Sequence, residues 1–164
     1  MIRYKVGRNQ KRVIRIDKSG KYVVELVGEG AEATILGAFR GRNRDQIEID
    51  IEVNHKAKNT TANTHIRGVV RDRATAKVNG TIKVFKGAQQ TNSFLTEKIL
   101  ILSDKARAEA IPNLEIEADE VHCSHAATVG KIDEEQLFYL MSRGLKRPEA
   151  EDIIVEGFLK PCLM

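Results

Sequence analysis

Ile47-Glu-Ile-Asp-Ile-Glu-Val53 alternates strictly, so an extended chain puts four aliphatic side chains on one face and three acids on the other. Period two over seven residues reads as a half-buried strand. Similar segments recur in both directions. Toward the N-terminus, Tyr22-Val-Val-Glu-Leu-Val27 and Ala33-Thr-Ile-Leu-Gly37 follow Lys18-Ser-Gly-Lys21 and Gly28-Glu-Gly30. Glycine there supplies the positive φ that tight turns need. Toward the C-terminus come Ile66-Arg-Gly-Val-Val70, Gly80-Thr-Ile-Lys-Val-Phe85, Lys98-Ile-Leu-Ile-Leu-Ser103, Asn113-Leu-Glu-Ile-Glu-Ala118 and Val121-His-Cys-Ser-His125. Residues 2 to about 128 are therefore expected to be β. From Ala33 onward the segments recur at roughly 14 to 19 residues until a closer last step. That spacing suits a β-solenoid with one or two strands per coil, each coil burying its apolar face on the next. An antiparallel sandwich fits the periodicity equally well.

The last forty residues read as helix. Asp133 is a good N-cap with Gln136 in capping-box position, Leu137, Leu140 and Met141 form an apolar stripe, and Gly144 suits the position just past the end. Pro148 opens a second helix, with Glu149, Glu151 and Asp152 in its first turn. Its stripe is expected to follow Ala150, Ile153, Ile154, Gly157 and Phe158. Such short helices need a packing surface, which is either the chain's own core or a partner's groove.

A length of 164 residues fits one domain with one substantial core. We expect a β core over residues 1–130 and a helical segment over 131–164, joined as one structural unit. Hydrophobic residues at 41% and charged residues at 30% exclude a disordered chain. The net charge of +4 comes from interspersed acids and bases, so no basic stripe calls for nucleic acid. The densest basic run, Phe39-Arg-Gly-Arg-Asn-Arg44, reads as a solvated turn. Two cysteines make no disulfide framework, and no apolar run approaches the roughly 20 residues of a membrane span. The start Met-Ile-Arg-Tyr-Lys-Val lacks a signal peptide's apolar middle, so a cytoplasmic, reducing location is the expectation.

His122-Cys-Ser-His125 is the one place where soft and borderline metal ligands cluster. In an extended segment Cys123 and His125 share one face, with His122 and Ser124 on the other. Zinc and iron–sulfur sites normally take four protein ligands, and one chain offers a single thiolate here. Two copies meeting across a two-fold axis at this strand would bring two Cys123 thiolates and two His125 imidazoles together. The residues read equally as core packing, since buried Cys behaves as a small hydrophobe and His as a satisfied polar group. Enzymatic readings fail. Lys18-Ser-Gly-Lys21 lacks the first glycine of a phosphate loop, with Arg15 in its place, and Tyr22 stands where Ser or Thr should follow the lysine. Cys123 has no suitably placed base or oxyanion hole. His55 and His65 flank Lys56-Ala-Lys-Asn-Thr-Thr-Ala-Asn-Thr64, which reads as a turn held by side-chain to backbone hydrogen bonds.

The run Pro112-Asn-Leu-Glu-Ile-Glu-Ala-Asp-Glu-Val-His-Cys-Ser-His-Ala-Ala-Thr-Val-Gly-Lys-Ile-Asp-Glu-Glu-Gln-Leu-Phe-Tyr-Leu-Met-Ser-Arg-Gly144 resembles the C-terminal core of the SufB/SufD family of iron–sulfur cluster assembly proteins, closer to SufD. Val53-Asn-His, Gly68-Val, Gly80, Gly87-Ala-Gln and Leu102-Ser-Asp-Lys-Ala-Arg-Ala resemble the same family's β-core landmarks, so the likeness covers about residues 30 to 160. It implies a parallel β-helix followed by a small helical hairpin, which decides between solenoid and sandwich. It further implies a non-catalytic scaffold component that pairs through its β-helix, with itself or a SufB/SufD paralogue, and docks a SufC-type ATPase through its helices. By this resemblance Cys123 and His125 match SufD positions implicated in cluster assembly at the subunit interface, with a transient iron–sulfur cluster and no tightly bound cofactor. Leu137, Leu140, Met141, Ile153, Ile154 and Phe158 are the expected docking residues. An interaction protein that organises the ATPase complex without touching metal is the alternative. Two departures stand out: relatives carry a large N-terminal region beyond this core, and Gln89-Gln-Thr-Asn-Ser-Phe94 lacks the SufB β-core cysteine.

Overall fold

The computed structural model describes residues 1–164. Ten strands run in order: β1 (Ile2–Val6), β2 (Lys11–Ile16), β3 (Gly20–Leu26), β4 (Glu32–Gly41), β5 (Gln46–His55), β6 (Thr61–Val70), β7 (Thr75–Val84), β8 (Thr91–Ile101), β9 (Arg107–Ile116) and β10 (Val121–Lys131). Helices α1 (Glu134–Ser142) and α2 (Arg147–Leu163) follow. Odd strands form one parallel sheet in the order β1-β3-β5-β7-β9, and even strands form the other in the order β2-β4-β6-β8-β10. The chain therefore winds through about 4 turns of a β-solenoid with two strands per coil, as the family resemblance implied and periodicity alone left open.

Strands β4, β6 and β7 alternate buried with more exposed residues, and the parallel register stacks like positions from coil to coil. Gly20 stands opposite Ile49 and Ile49 opposite Val78 on the odd sheet. On the even sheet Ile14, Ile35, Thr64 and Leu95 form one inward column, and Ile16, Gly37, Ile66 and Glu97 form the next. Burying each aliphatic side chain of such a column contributes about 1.5–3 kcal/mol, so a shift of one residue, which turns the apolar set outward, is strongly disfavoured.

Corners are also built in ladders. Asn43 and Asp72 both have positive φ, which short polar side chains tolerate. The Asn43 backbone N–H donates to Asp72 Oδ2 (2.8 Å), and the Asp72 N–H donates to Ser103 Oγ (2.9 Å). The basic run Phe39–Arg44, expected as a solvated turn, is a turn only past Gly41; its first three residues end β4, with Phe39 buried. At another corner the Asn59 N–H donates to the Gln89 carbonyl (2.9 Å).

Asp133 caps α1, accepting from the backbone of Glu135 and Gln136, and Gly144 with φ 98° ends it. Helix α2 starts at Arg147, one residue before Pro148, with Glu149 reaching back to the Lys146 N–H (2.8 Å). Its buried line is Ala150, Val155, Leu159 and Cys162, rotated from the expected Ile153 and Gly157 side. The reason is the floor it lies on. Val155 and Leu159 pack on Val69, with Ala38, Leu100, Leu102 and Phe158 around them, on the outer face of the even sheet. Arginines on that face hold the helix: Arg15 reaches the carbonyls of Cys162 and Met164, Arg40 pairs with Glu156 (2.7 Å), and Arg67 donates to the Phe158 carbonyl (2.6 Å). No helix is long and apolar enough to cross a membrane.

Candidate functional site

Strand β10 is the edge of the even sheet, paired only with β8. The expected alternation is realised: His122 and Ser124 are exposed, while Cys123 and His125 turn inward. Cys123 stands opposite Ser93, His125 opposite Leu95, and Ala127 opposite Glu97. Cys123 is a half-buried free thiol. Burial pushes its pKa up, and a hydrogen bond from the Ser93 backbone offsets part of that. It is thus not primed as a thiolate nucleophile.

His125 has a side chain only 3% exposed, and its Nε2 faces Oε2 of the fully buried Glu97 at 3.6 Å. Glu97 went unnoticed in the sequence. Both of its carboxylate oxygens and both His125 nitrogens lack a hydrogen-bond partner. Burial raises the Glu97 pKa, and the facing His125 pulls it back. Across the solenoid, Gly80 leaves room for this carboxylate, because a Cβ there would collide with Glu97 Oε1 and lie 2.9 Å from Leu95 Cδ2. No three His, Cys, Asp or Glu side chains converge as a ready metal cage within the chain.

Next to Cys123 lies a second buried polar group. Ser93 Oγ is 2.9 Å from His55 Nε2, and His55 Nδ1 is 2.8 Å from Thr60 Oγ1. Thr60 donates to the Ala57 carbonyl (3.2 Å), so its oxygen is free to accept from His55 Nδ1–H while Ser93 donates to Nε2. Burial without a counter-charge lowers the His55 pKa to about 4. The turn expected over Lys56–Thr64 is shorter in the structure, because β6 begins at Thr61; within it Thr60 Oγ1 makes the expected side-chain to backbone bond, to the Ala57 carbonyl. His65 is instead exposed, on the outer face of β6.

Of the six helical residues singled out from the sequence, Leu137 is buried with Ile132 and Ala150, and Leu140 and Ile154 pack around that cluster. Phe158 packs beside Val155 and Leu159. Met141 (41% exposed) and Ile153 (50%) remain open, joined by Phe138 (74%) and Tyr139 (58%), which sequence periodicity passed over. Of these, Ile153 lines a groove of about 480 Å³, together with Leu100, Ile132, Gln136, Ile154 and Phe158.

The solenoid's far end is uncovered. Strands β9 and β10 are both edges, and Leu114, Ile116 and Val129, whose register places them on the inner layer, are 46%, 42% and 39% exposed.

A family profile described as "SUF system FeS cluster assembly, SufBD core domain" matches residues 18–158. The iron-sulfur cluster assembly protein SufD of Bacillus subtilis is 35% identical over 147 residues, which is 90% of this chain and 34% of the relative. An iron-sulfur cluster assembly SufBD family protein of Pyrococcus horikoshii is 34% identical over 169 residues, 99% of this chain and 37% of the relative. One of Mycobacterium tuberculosis is 36% identical over 139 residues, 84% of this chain and 16% of the relative. The chain thus spans about a third or less of the length of these relatives. With the profile running through both sheets and into α2, the chain belongs to the SufBD core family of the SUF iron–sulfur cluster assembly system.

Proposed function

We propose that this chain is a non-catalytic component of an iron–sulfur cluster assembly scaffold that pairs through the open end of its solenoid and docks an ABC-type ATPase on its helices. The uncovered last coil carries the reading. Edge strands with inner-layer Leu114, Ile116 and Val129 exposed have the composition of a surface meant to be covered by more sheet. A second copy or a SufB/SufD paralogue joining at β10 brings the Cys123–His125 strand to the interface, where a nascent cluster is cargo in transit between donors of two chains. Family membership supports the assembly role, and the exposed Phe138, Tyr139 and Met141 of α1 and the groove-lining Ile153 of α2 support the ATPase contact.

Sedimentation of wild type against Val129→Lys tests the pairing: the charge should yield a folded monomer, and an unchanged assembly would refute pairing along β10. Anaerobic reconstitution with iron and sulfide tests the cargo site. Wild type should develop cluster absorbance that Cys123→Ala lacks, and equal spectra would remove the thiol from the site. A second reading, an interaction protein that organises the ATPase complex without metal, is favoured by the raised pKa of the half-buried Cys123. Capture of the ATPase by a Cys123→Ala, His125→Ala protein with no wild-type cluster chemistry would establish it.

A further inference from the structure

Glu97 occupies a place meant for an aliphatic side chain. Its inward column reads Ile16, Gly37, Ile66, Glu97 and Ala127, and its own strand alternates Leu95, Glu97, Ile99 on the same face. A buried carboxylate in such a position is expensive unless a cation or strong donors meet it. The only ionisable partner within reach is His125, at 3.6 Å. That gap exceeds the 2.7–3.2 Å of a hydrogen bond, so the two groups face each other without bonding. Two ligands about 2.0–2.2 Å from one ion at a tetrahedral angle lie about 3.3–3.6 Å apart. The observed 3.6 Å falls at the upper end of that range, and it is also the separation of a loose His–Glu ion pair.

Three further observations agree. All four polar atoms of the pair are unpartnered. The side chains are 0% and 3% exposed, so bulk water does not compensate them. Gly80 on the facing strand makes room for the Glu97 carboxylate itself, because a Cβ there would collide with Glu97 Oε1. His125 sits on edge strand β10, at the open last coil.

We propose that Glu97 Oε2 and His125 Nε2 form the inner half of a mononuclear site for a borderline first-row divalent cation, such as ferrous iron, cobalt or zinc. One imidazole and one carboxylate suit that class. Two positions stay open for exchangeable ligands. The inference rests on the reading of His125 as metal-facing, adds Glu97 to it, and does not need Cys123. It gives the cluster-building site a hard oxygen ligand for holding iron before sulfide arrives.

Full-length, metal-free protein titrated anaerobically with Co(II) and, separately, Zn(II), followed by calorimetry and cobalt visible absorption, tests it. Wild type should bind one ion per chain with the intense visible bands of tetrahedral cobalt and no thiolate charge-transfer band. Glu97→Gln and His125→Gln remove a ligand, so each should weaken binding by more than the about 10–100-fold that loss of an outer-shell partner brings. Cys123→Ala should bind like wild type. Gly80→Ala, which keeps both ligands but closes the space, should also weaken binding, and thermal melts without metal report whether each variant folds. Unchanged affinity in folded Glu97→Gln, or no binding by wild type, would overturn the site. Because iron–sulfide reconstitution depends on Cys123 and cobalt binding does not, the two readings fail separately: cobalt binding without cluster formation removes only the cargo role, and cluster formation without cobalt binding removes only this one.

Discussion

Replacing His55 should change how stability depends on pH more than it changes stability at neutrality. The imidazole is fully buried, bonded to Thr60 Oγ1 and Ser93 Oγ, and its pKa is lowered to about 4 from the ordinary 6.5. The folded pKa lies below the unfolded one, so well above pH 6.5 neither state is protonated and no stability is lost. As pH falls from 6.5 toward 4, the unfolded chain takes up a proton that the native site refuses, and folding weakens. Integrating the proton uptake from pH 7 to 4.5 gives a loss of about 2.5 kcal/mol from this one group. His55→Gln keeps a neutral hydrogen-bonding group of similar size and lacks the titration. Urea unfolding of both proteins at half-unit steps between pH 7 and 4.5 supplies the test, since every other carboxylate and histidine contributes equally to both and cancels in the difference. Wild type should be the more stable at pH 7 and should lose that advantage as the solution is acidified, by about 2.5 kcal/mol. A difference that stays constant across the range would show that His55 takes up its proton in the folded state and would refute the desolvation argument.

Three other perturbations separate packing from surface chemistry. Gly68→Ala places a methyl group into the ring of Phe39 on the neighbouring strand, inside a filled coil, and should destabilise by about 3 kcal/mol in chemical denaturation. Gly157→Ala in α2 meets nothing within 4 Å and should stabilise by about 1 kcal/mol, raising Tm by about 2–4 °C in calorimetry. Phe138→Asp combined with Ile153→Asp alters only exposed side chains, so the melting curve should barely move while capture of a SufC-type ATPase is lost; retained capture would place docking elsewhere.

The coil architecture was only half legible in the sequence. Alternation at Ile47–Val53 marks a strand face unambiguously, but the same pattern serves a sandwich, and only the C-terminal family likeness decided the connectivity. Strands proved longer than their apolar runs. β7 begins at Thr75 and β8 at Thr91, where Lys, Asn and Ser alternate with small or aliphatic residues, because a corner ladder continues the backbone pairing past the hydrophobic stretch. That is why Glu97 was missed: a strand begun at Lys98 excludes it, whereas the phase of Leu95 and Ile99 puts it inside. Cys123 and His125 followed period two and were placed on the correct face. On α2, helical spacing found Ala150, Ile154 and Phe158 but not the centre of the buried face, because the apolar stripe there is broad and the sheet beneath chose Val155 and Leu159 over Ile153 and Gly157.

In a stack of coils each layer is held by the one below and the one above, so cooperativity passes only between neighbours. The layer of β9 and β10 has a neighbour on one side only. Its amides should therefore open by fraying at a small fraction of the global unfolding free energy, while those of β5 and β6 exchange only with the whole molecule. The strand bearing Cys123 and His125 thus lies at one of the two ends from which the solenoid opens, and any partner that adds a layer there tightens the site by supplying the missing neighbour.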